Sequence, residues 1–362
     1  MKSVLAFSPR TPSAAFEEAA RARQAELTKP AGSLGRLEEL AVWLAARDPE
    51  GRARSRPCAA VLFASDHPVA ARGVSAYPRE VTAAMTANFV RGGAAASVAA
   101  RHLGVPLHVV DVGVAHPYPS DPAGEHVSLV RELVADMDVG DLTEADALPE
   151  PTLLAAVGAG RRAISVLEPD TRVVILGEMG IGNTTVAATV AGALLGLPAD
   201  AIVGAGTGVD AEGMRRKHDA VSRGLARIAS GATPWDVLRA VGGRDVAALV
   251  GAAGEAASRG MTVLVDGFIV SVAMLCLVRA EPRARASLVF AHRSREQGHG
   301  RVLDALDARP LLDVDLRLGE GSGALAALPL LDLACALHGS MATFAEARVP
   351  DRAGDVGERA PA

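Results

Sequence analysis

From about residue 58 onward, short apolar runs that end abruptly in polar or glycine-rich positions alternate with longer stretches whose apolar residues recur at helical spacing. That alternation predicts an α/β fold, a doubly wound and mostly parallel Rossmann-like sheet covered by helices on both faces. The predicted strands are Cys58 to Ser65, Leu107 to Val112, Arg172 to Leu176, Ala201 to Val203, Thr262 to Val265 and Ser287 to Ala291. Each is short and mostly apolar, as a strand buried on both faces must be. Five segments at their ends, Asp66-His67, Gly177-Glu178, Gly204-Ala205-Gly206, Asp266-Gly267 and His292-Arg293-Ser294, are expected to line one crevice. Ligands of open α/β sheets bind beyond the carboxyl ends of the strands.

The two ends of the chain follow another pattern. Residues 13 to 47 read as two helices split by the breaker Lys29-Pro30-Ala31-Gly32-Ser33, and Gly323 to Arg348 as a helical region with a break near Pro329. These segments lie outside the alternation. They predict a small helical domain of residues 1–57 and 323–349, a large α/β domain of residues 58–322, and a flexible polar tail at 350–362.

With 362 residues, 49% of them hydrophobic, the chain can bury a large core. A net charge of −5 and a pI near 6.0 argue against nucleic acid or an anionic membrane surface and favour a small-molecule ligand. Cys58, Cys276 and Cys335 are odd in number, far apart and set in apolar runs, so they read as buried thiols of a reducing compartment. The apolar run in MKSVLAFSPRTP is short for a secretory signal, and the longest apolar stretch, Gly267 to Val278, is short for a bilayer span, so a cytoplasmic location is expected. Of the 37 basic residues only Lys2, Lys29 and Lys217 are lysines, and Asn88 and Asn183 are the only asparagines. In a chain so biased toward Arg and Ala, those residues mark places where Arg or Ser would not serve.

The candidate chemistry lies in glycine-rich loops. GEMGIGNTT (Gly177 to Thr185) follows a predicted strand and opens an apolar helix, Val186 to Leu195, with Thr184 or Thr185 placed to cap it. Backbone N–H groups and the helix dipole there suit a phosphate. Asn183 stands where a nucleoside-triphosphatase loop has lysine, so a monophosphate fits better than ATP. A tight strand-to-helix turn with no ligand would need the same glycines. Gly204, Gly206, Thr207 and Gly208 repeat the device, with Lys217 following on a helix either as a phosphate contact or as a solvated neighbour of Arg215 and Arg216. Glu320, between Gly319 and Gly321, is either a charge near the start of a helix that Ser322 could cap or a partly desolvated general base. The nine histidines form no HExxH or similar metal spacing, and no GxSxG elbow occurs. GVSAYPREVT (Gly73 to Thr82) is an aromatic base pocket or a helix start.

Together these segments resemble the nicotinate-nucleotide:dimethylbenzimidazole phosphoribosyltransferases. The resemblance runs in order through KPAGSLGRLEEL (from Lys29), ASDHPVAARGVSAYPREVTAAMTANF (from Ala64), VVDVGV (from Val109), GEMGIGNTT, VGAGTG (from Val203), VGGRDVAALVG (from Val241), VLVDGFI (from Val263), AHRSREQGH (from Ala291) and RLGEGSGALAALP (from Arg317). It implies a homodimer that transfers phosphoribose from nicotinate mononucleotide to 5,6-dimethylbenzimidazole and needs neither metal nor redox cofactor. It also implies Glu320 as the general base and Glu178 as a second active-site carboxylate. Gly177, Gly180, Ile181, Gly182, Asn183, Thr184, Thr185, the Gly204–Gly208 loop and Lys217 would cradle the phosphoribosyl group. Asp66, His67, Ser75, Tyr77, Pro78, Met85, His292, Leu318 and Gly319 would form the base pocket.

Pro68, Arg72 and Val186 depart from that family's usual residues, the first two near the presumed base pocket. An acceptor other than 5,6-dimethylbenzimidazole, such as another benzimidazole, a purine or a phenol, is therefore an alternative. A noncatalytic nucleotide binder is another, against which the pair of glutamates speaks. A Rossmann oxidoreductase is disfavoured, since no full GxGxxG opens a helix with an acidic residue on the next strand.

Overall fold

The computed structural model describes residues 3–115, 126–204, 206 and 208–350. Ala205, Thr207 and the predicted tail beyond residue 350 lie outside them. Six strands, β1 (Cys58–Ser65), β2 (Leu107–Gly113), β3 (Val127–Arg131), β4 (Val173–Met179), β5 (Thr262–Val265) and β6 (Leu288–Phe290), form one sheet in the order β3-β2-β1-β4-β5-β6. Every pairing is parallel. The order reverses between β1 and β4, the topological switch of a doubly wound sheet. β1 is buried along its whole length, and helices such as Glu150–Ser165, Arg244–Arg259 and Phe268–Ala280 pack apolar faces into the core. Gly160 and Gly251 let two of these helices touch: a Cβ on Gly160 would lie 1.9 Å from the Ala248 carbonyl oxygen, and one on Gly251 2.1 Å from that of Val157.

One expected strand is absent, and one strand is present that was not expected. Residues Ala199–Ile202 form a short helix after Pro198, and Val203 is extended but pairs with nothing among the described residues. The neighbour that β4 takes on that side is β5, which begins only at Thr262, far beyond Val203. β3 went unread because VSLVR is only partly buried, and an edge strand lacks the continuous apolar signature.

The chain packs as two units, Met1–Arg10 with Pro57–Ala327, and Thr11–Arg56 with Leu328–Ala362. The change between Arg56 and Pro57 lies one residue from the boundary expected at 57, whereas residues up to Arg10 join the larger unit and the boundary expected at 323 falls after Ala327. The first ten residues belong with the sheet because Phe7 is buried against Gly254, Arg161 donates to the carbonyls of Ser3, Val4 and Ala6, and the Arg10 N–H donates to Ala257. At the other end the boundary falls inside the helix Ser322–Ser340, whose first turn is held by Asp266 through the Ala324 N–H at 2.9 Å. The expected break at Pro329 is absent, although proline removes one helical hydrogen bond there. Packing of Leu328 and Leu331, both fully buried, carries the helix through.

That helix is longer than the apolar stretch singled out from the sequence and is long and apolar enough to cross a membrane. It carries a carboxylate, Asp332, paired with Arg56 at 2.8 Å and with Ser55 at 2.6 Å, and it is partly buried. In the smaller unit, helices Ala14–Glu26 and Arg36–Arg47 flank Lys29, whose ammonium pairs with Glu38 at 2.9 Å and donates to the Gln24 carbonyl at 3.1 Å. One of the rare lysines is thus a structural tie.

Candidate active site

Beyond the ends of β4, β5 and β6 lies a cleft of about 650 Å³ measured to open solvent. Glu178, the penultimate residue of β4, closes its floor. Strand pairing with Phe63 on β1 fixes its backbone, and Asn183, the first residue of the following helix, donates its side-chain amide to Oε2. The glycines around it have a steric reason. A Cβ on Gly177 would lie 2.7 Å from the backbone carbonyl of Glu320, and one on Gly319 would lie 2.5 Å from Glu178 Oε1. The two glycine loops, far apart in sequence, are in backbone contact. Burial first, then the charges of Asp245, Asp266 and Glu320, push the Glu178 carboxyl well above the usual carboxylate range, although the Glu320 N–H donates to it.

Glu320 has a left-handed backbone, φ 64°, between two glycines of the same hand. A non-glycine residue there is strained and needs support. Asp266, after β5, supplies it by accepting the Gly321 N–H at 3.2 Å and the Ala324 N–H at 2.9 Å. Ser322 does not cap the helix as expected, since its hydroxyl donates to the Gly319 carbonyl. One oxygen of Glu320 takes the Ala96 N–H, while Oε2 is buried without a partner among the described residues. Burial raises the Glu320 carboxyl above its ordinary value, Ala96 opposes this, and the charge of Asp266 adds to it. The sequence places Asp266 at the crevice only as a strand end, and it gives no sign of Ala96. Both act through backbone contacts that no local motif announces.

The helix opened by GEMGIGNTT begins at Asn183 after Gly182 in a left-handed conformation, φ 96°. Thr184 and Thr185 lie inside its first turn and do not cap it. The amides of Asn183 and Thr185 are taken by the Gly180 and Gly182 carbonyls. There the fully buried Lys217 donates to Thr184 Oγ1 and to the Gly204 carbonyl, both at 2.9 Å. A Cβ on Gly206 would lie 3.0 Å from the ammonium. Burial lowers Lys217 to about 8, and the charge of Glu296 acts to raise it.

Gly180, Ile181, Asn183, Thr184, Gly206, His292, Leu318 and Gly319 join the two glutamates along the cleft. Other expected residues do not. Asp66 and His67 line a separate small cavity with Pro68 and Val186. Asp66 accepts the Ala115 N–H at 2.7 Å and pairs with Arg79 at 3.3 Å, and the buried His67 lies 3.2 Å from Asp245. A Cβ on Gly180 would sit 2.8 Å from the His67 ring, which thus fills the space behind the loop. The single crevice expected from the strand ends is therefore confined to β4, β5 and β6. Arg72 pairs with Asp141 at 2.6 Å and with Glu144, away from the cleft. Ser75, Tyr77, Pro78 and Met85 do not line it, and Tyr77 is 52% exposed. The neighbouring helix Val81–Arg91 instead reaches the glycine loop through Thr82, whose hydroxyl accepts the Ile181 N–H at 3.1 Å. Gly208 is exposed. Among the described residues no group of three or more His, Cys, Asp or Glu side chains could hold a metal ion.

A phosphoribosyltransferase family model matches residues 10–349. A nicotinate-nucleotide–dimethylbenzimidazole phosphoribosyltransferase of Bradyrhizobium sp. strain BTAi1 is 52% identical over 94% of this chain and 96% of its own length. One from Pseudomonas aeruginosa is 51% identical over 91% of this chain and 93% of its own. The crystal structure of such an enzyme from Thermus thermophilus superposes with a TM-score of 0.85 at 40% identity, covering 94% of this chain and all of that one.

Proposed function

Because this chain belongs to the phosphoribosyltransferase family that contains the nicotinate-nucleotide–dimethylbenzimidazole phosphoribosyltransferases, we propose that its cleft moves the 5-phosphoribosyl group of nicotinate mononucleotide onto 5,6-dimethylbenzimidazole. The products are nicotinate and α-ribazole 5′-phosphate, a precursor for cobalamin. The observation that carries this reading is the meeting, at one cleft, of two buried carboxyl groups with Thr184, whose hydroxyl accepts a hydrogen bond from the buried Lys217.

The benzimidazole attacks the anomeric carbon through its lone-pair nitrogen, and Glu320, with a buried and unpartnered oxygen, takes the proton from the other ring nitrogen. Nicotinate leaves with the bonding electrons and its pyridinium becomes a neutral ring, so no general acid is required. Attack opposite the leaving base turns a β-linkage into an α-linkage. Burial and the neighbouring carboxylates hold the Glu178 carboxyl well above the ordinary carboxylate range, and the pyridinium of the donor favours its ionised form, which then faces the oxocarbenium-like transition state. Lys217 near 8 is poised in the same way, since a phosphate dianion beside Thr184 and Gly206 holds it as an ammonium. Leu318, Gly319 and His292 offer the acceptor its surface.

The test is turnover of nicotinate mononucleotide by the purified protein with and without 5,6-dimethylbenzimidazole, following nicotinate release and the riboside linkage by NMR. Base-dependent release of an α-linked product is expected, and no release with a panel of bases and phenols would remove the reading. A homodimer in the cytoplasm belongs to the same proposal, and light scattering should then give about twice the 37.0 kDa chain mass.

A further inference from the structure

The segment after β6 bridges in parallel to Leu312 at His292, bends at Arg295, and alternates in what its residues face. Its odd members face away from the cleft: Arg293 and Arg295 donate their N–H groups to the Leu312 and Leu316 carbonyls at 2.8 and 3.1 Å, and their guanidinium groups lie 3.8 and 3.1 Å from Asp313 and Asp315. Its even members, His292, Ser294 and Glu296, all line the cleft. The alternation brings these three side chains to the same wall. His292 is 2% exposed with Nδ1 lacking a partner among the described residues, and Ser294 is nearly buried, its oxygen accepting the Glu296 N–H at 3.3 Å. The carboxylate of Glu296 lies against the Gly204 backbone, where a Cβ would meet Oε2 at 2.5 Å, and it accepts no hydrogen bond from the described residues. It faces the same glycine loop whose far side carries Lys217.

The row therefore lies beside the anion cradle of Lys217, Thr184 and Gly206, on the wall shared with Glu178 and Glu320. A ribose linked to a phosphate in that cradle presents a vicinal diol, and a carboxylate accepts two hydroxyl protons at once. We propose that Glu296, supported by Ser294, binds the 2′- and 3′-hydroxyls of the donor and makes the enzyme selective for ribose over deoxyribose. This rests on the phosphoribosyl-transfer reading and adds to it the residue that recognises the sugar. Binding through the diol also anchors the ring while the anomeric carbon moves between the two bases.

The experiment compares nicotinate mononucleotide with its 2′-deoxy and 3′-deoxy analogues on the wild-type protein, Glu296→Gln and Ser294→Ala. Intrinsic reactivity of each donor cancels in the ratio between proteins. For the wild type the ribonucleotide is expected to be preferred. In Glu296→Gln its kcat/KM should fall about 10- to 100-fold, the loss of hydrogen bonds to a charged acceptor, while each deoxy donor, which keeps one of the two hydroxyls, should fall by a smaller factor. Ser294→Ala should lose part of the same preference, and thermal melting should show both variants folded. Glu296 has a rival role as counter-charge to Lys217. If that alone operates, Glu296→Gln changes KM for all three donors equally, and the proposal is overturned. An unaltered ribose preference overturns it as well. Absence of turnover by the wild type with any donor would instead overturn the phosphoribosyl-transfer reading on which it rests.

Discussion

Glu178 and Glu320 are the same side chain, each beside glycines and each in the same cleft, yet they are held by opposite means. Glu178 ends a central strand of a parallel sheet, in ordinary extended backbone, with a side-chain amide and a backbone N–H on its carboxyl group. Glu320 sits on a strained left-handed turn that Asp266 holds from below, with one carboxylate oxygen unpartnered. A group fully committed to its surroundings is suited to respond by changing charge. One with a spare oxygen is suited to take a proton from a ligand. The difference is one of support, since residue type and local glycine content are alike.

The largest effect expected from breaking this asymmetry is at Glu320. Glu320→Gln keeps the shape and removes the base, so kcat should fall about 100- to 10,000-fold with little change in KM; near-normal turnover would remove Glu320 from the role. Glu178→Gln should lower kcat by about 100-fold, the scale for losing one preorganised electrostatic contact. Acceptor affinity, measured by calorimetry, should hardly move, and a loss confined to acceptor binding would reverse the two roles.

Acidity sharpens the contrast. Glu320 must be ionised to act, and burial lifts its value, so the acid limb of kcat should lie above the ordinary glutamate range near ~4.3. Asp266→Asn removes a negative charge that helps to lift it, and the limb should move to lower pH. A limb that stays in place would leave Asp266 as a tether only.

The smallest expected effect is on stability. Because the folded-state value of Glu178 is raised above that of the unfolded chain, its contribution is complete at acid pH and is lost as pH rises through the raised value. Glu178→Gln should therefore melt a few degrees above the wild type in alkaline buffer and alongside it near pH 4. A lower melting point at both would mean that the carboxyl group is held ionised by a contact that the amide cannot replace.

Much of this was legible in the chain. Strands β1 and β5 were read to the residue, because a doubly buried strand writes its burial into consecutive apolar positions. The glycine loops and the scarce Lys217 and Asn183 pointed to the cleft, where Asn183 lines the wall and Lys217 holds Thr184. The sequence by itself determined the α/β class, both glutamates and the family resemblance, since these rest on local pattern and on motifs kept in order. Tertiary structure decided the rest. The expected strand at Ala201 became a helix because β4 had a partner from much later in the chain. Packing of His67 behind Gly180 removed β1 from the cleft, while the supporting roles of Asp266, Ala96 and Glu296 arise from contacts between distant segments. The ionisation of Glu178 belongs here too, since it follows from burial and from charges brought near only by folding.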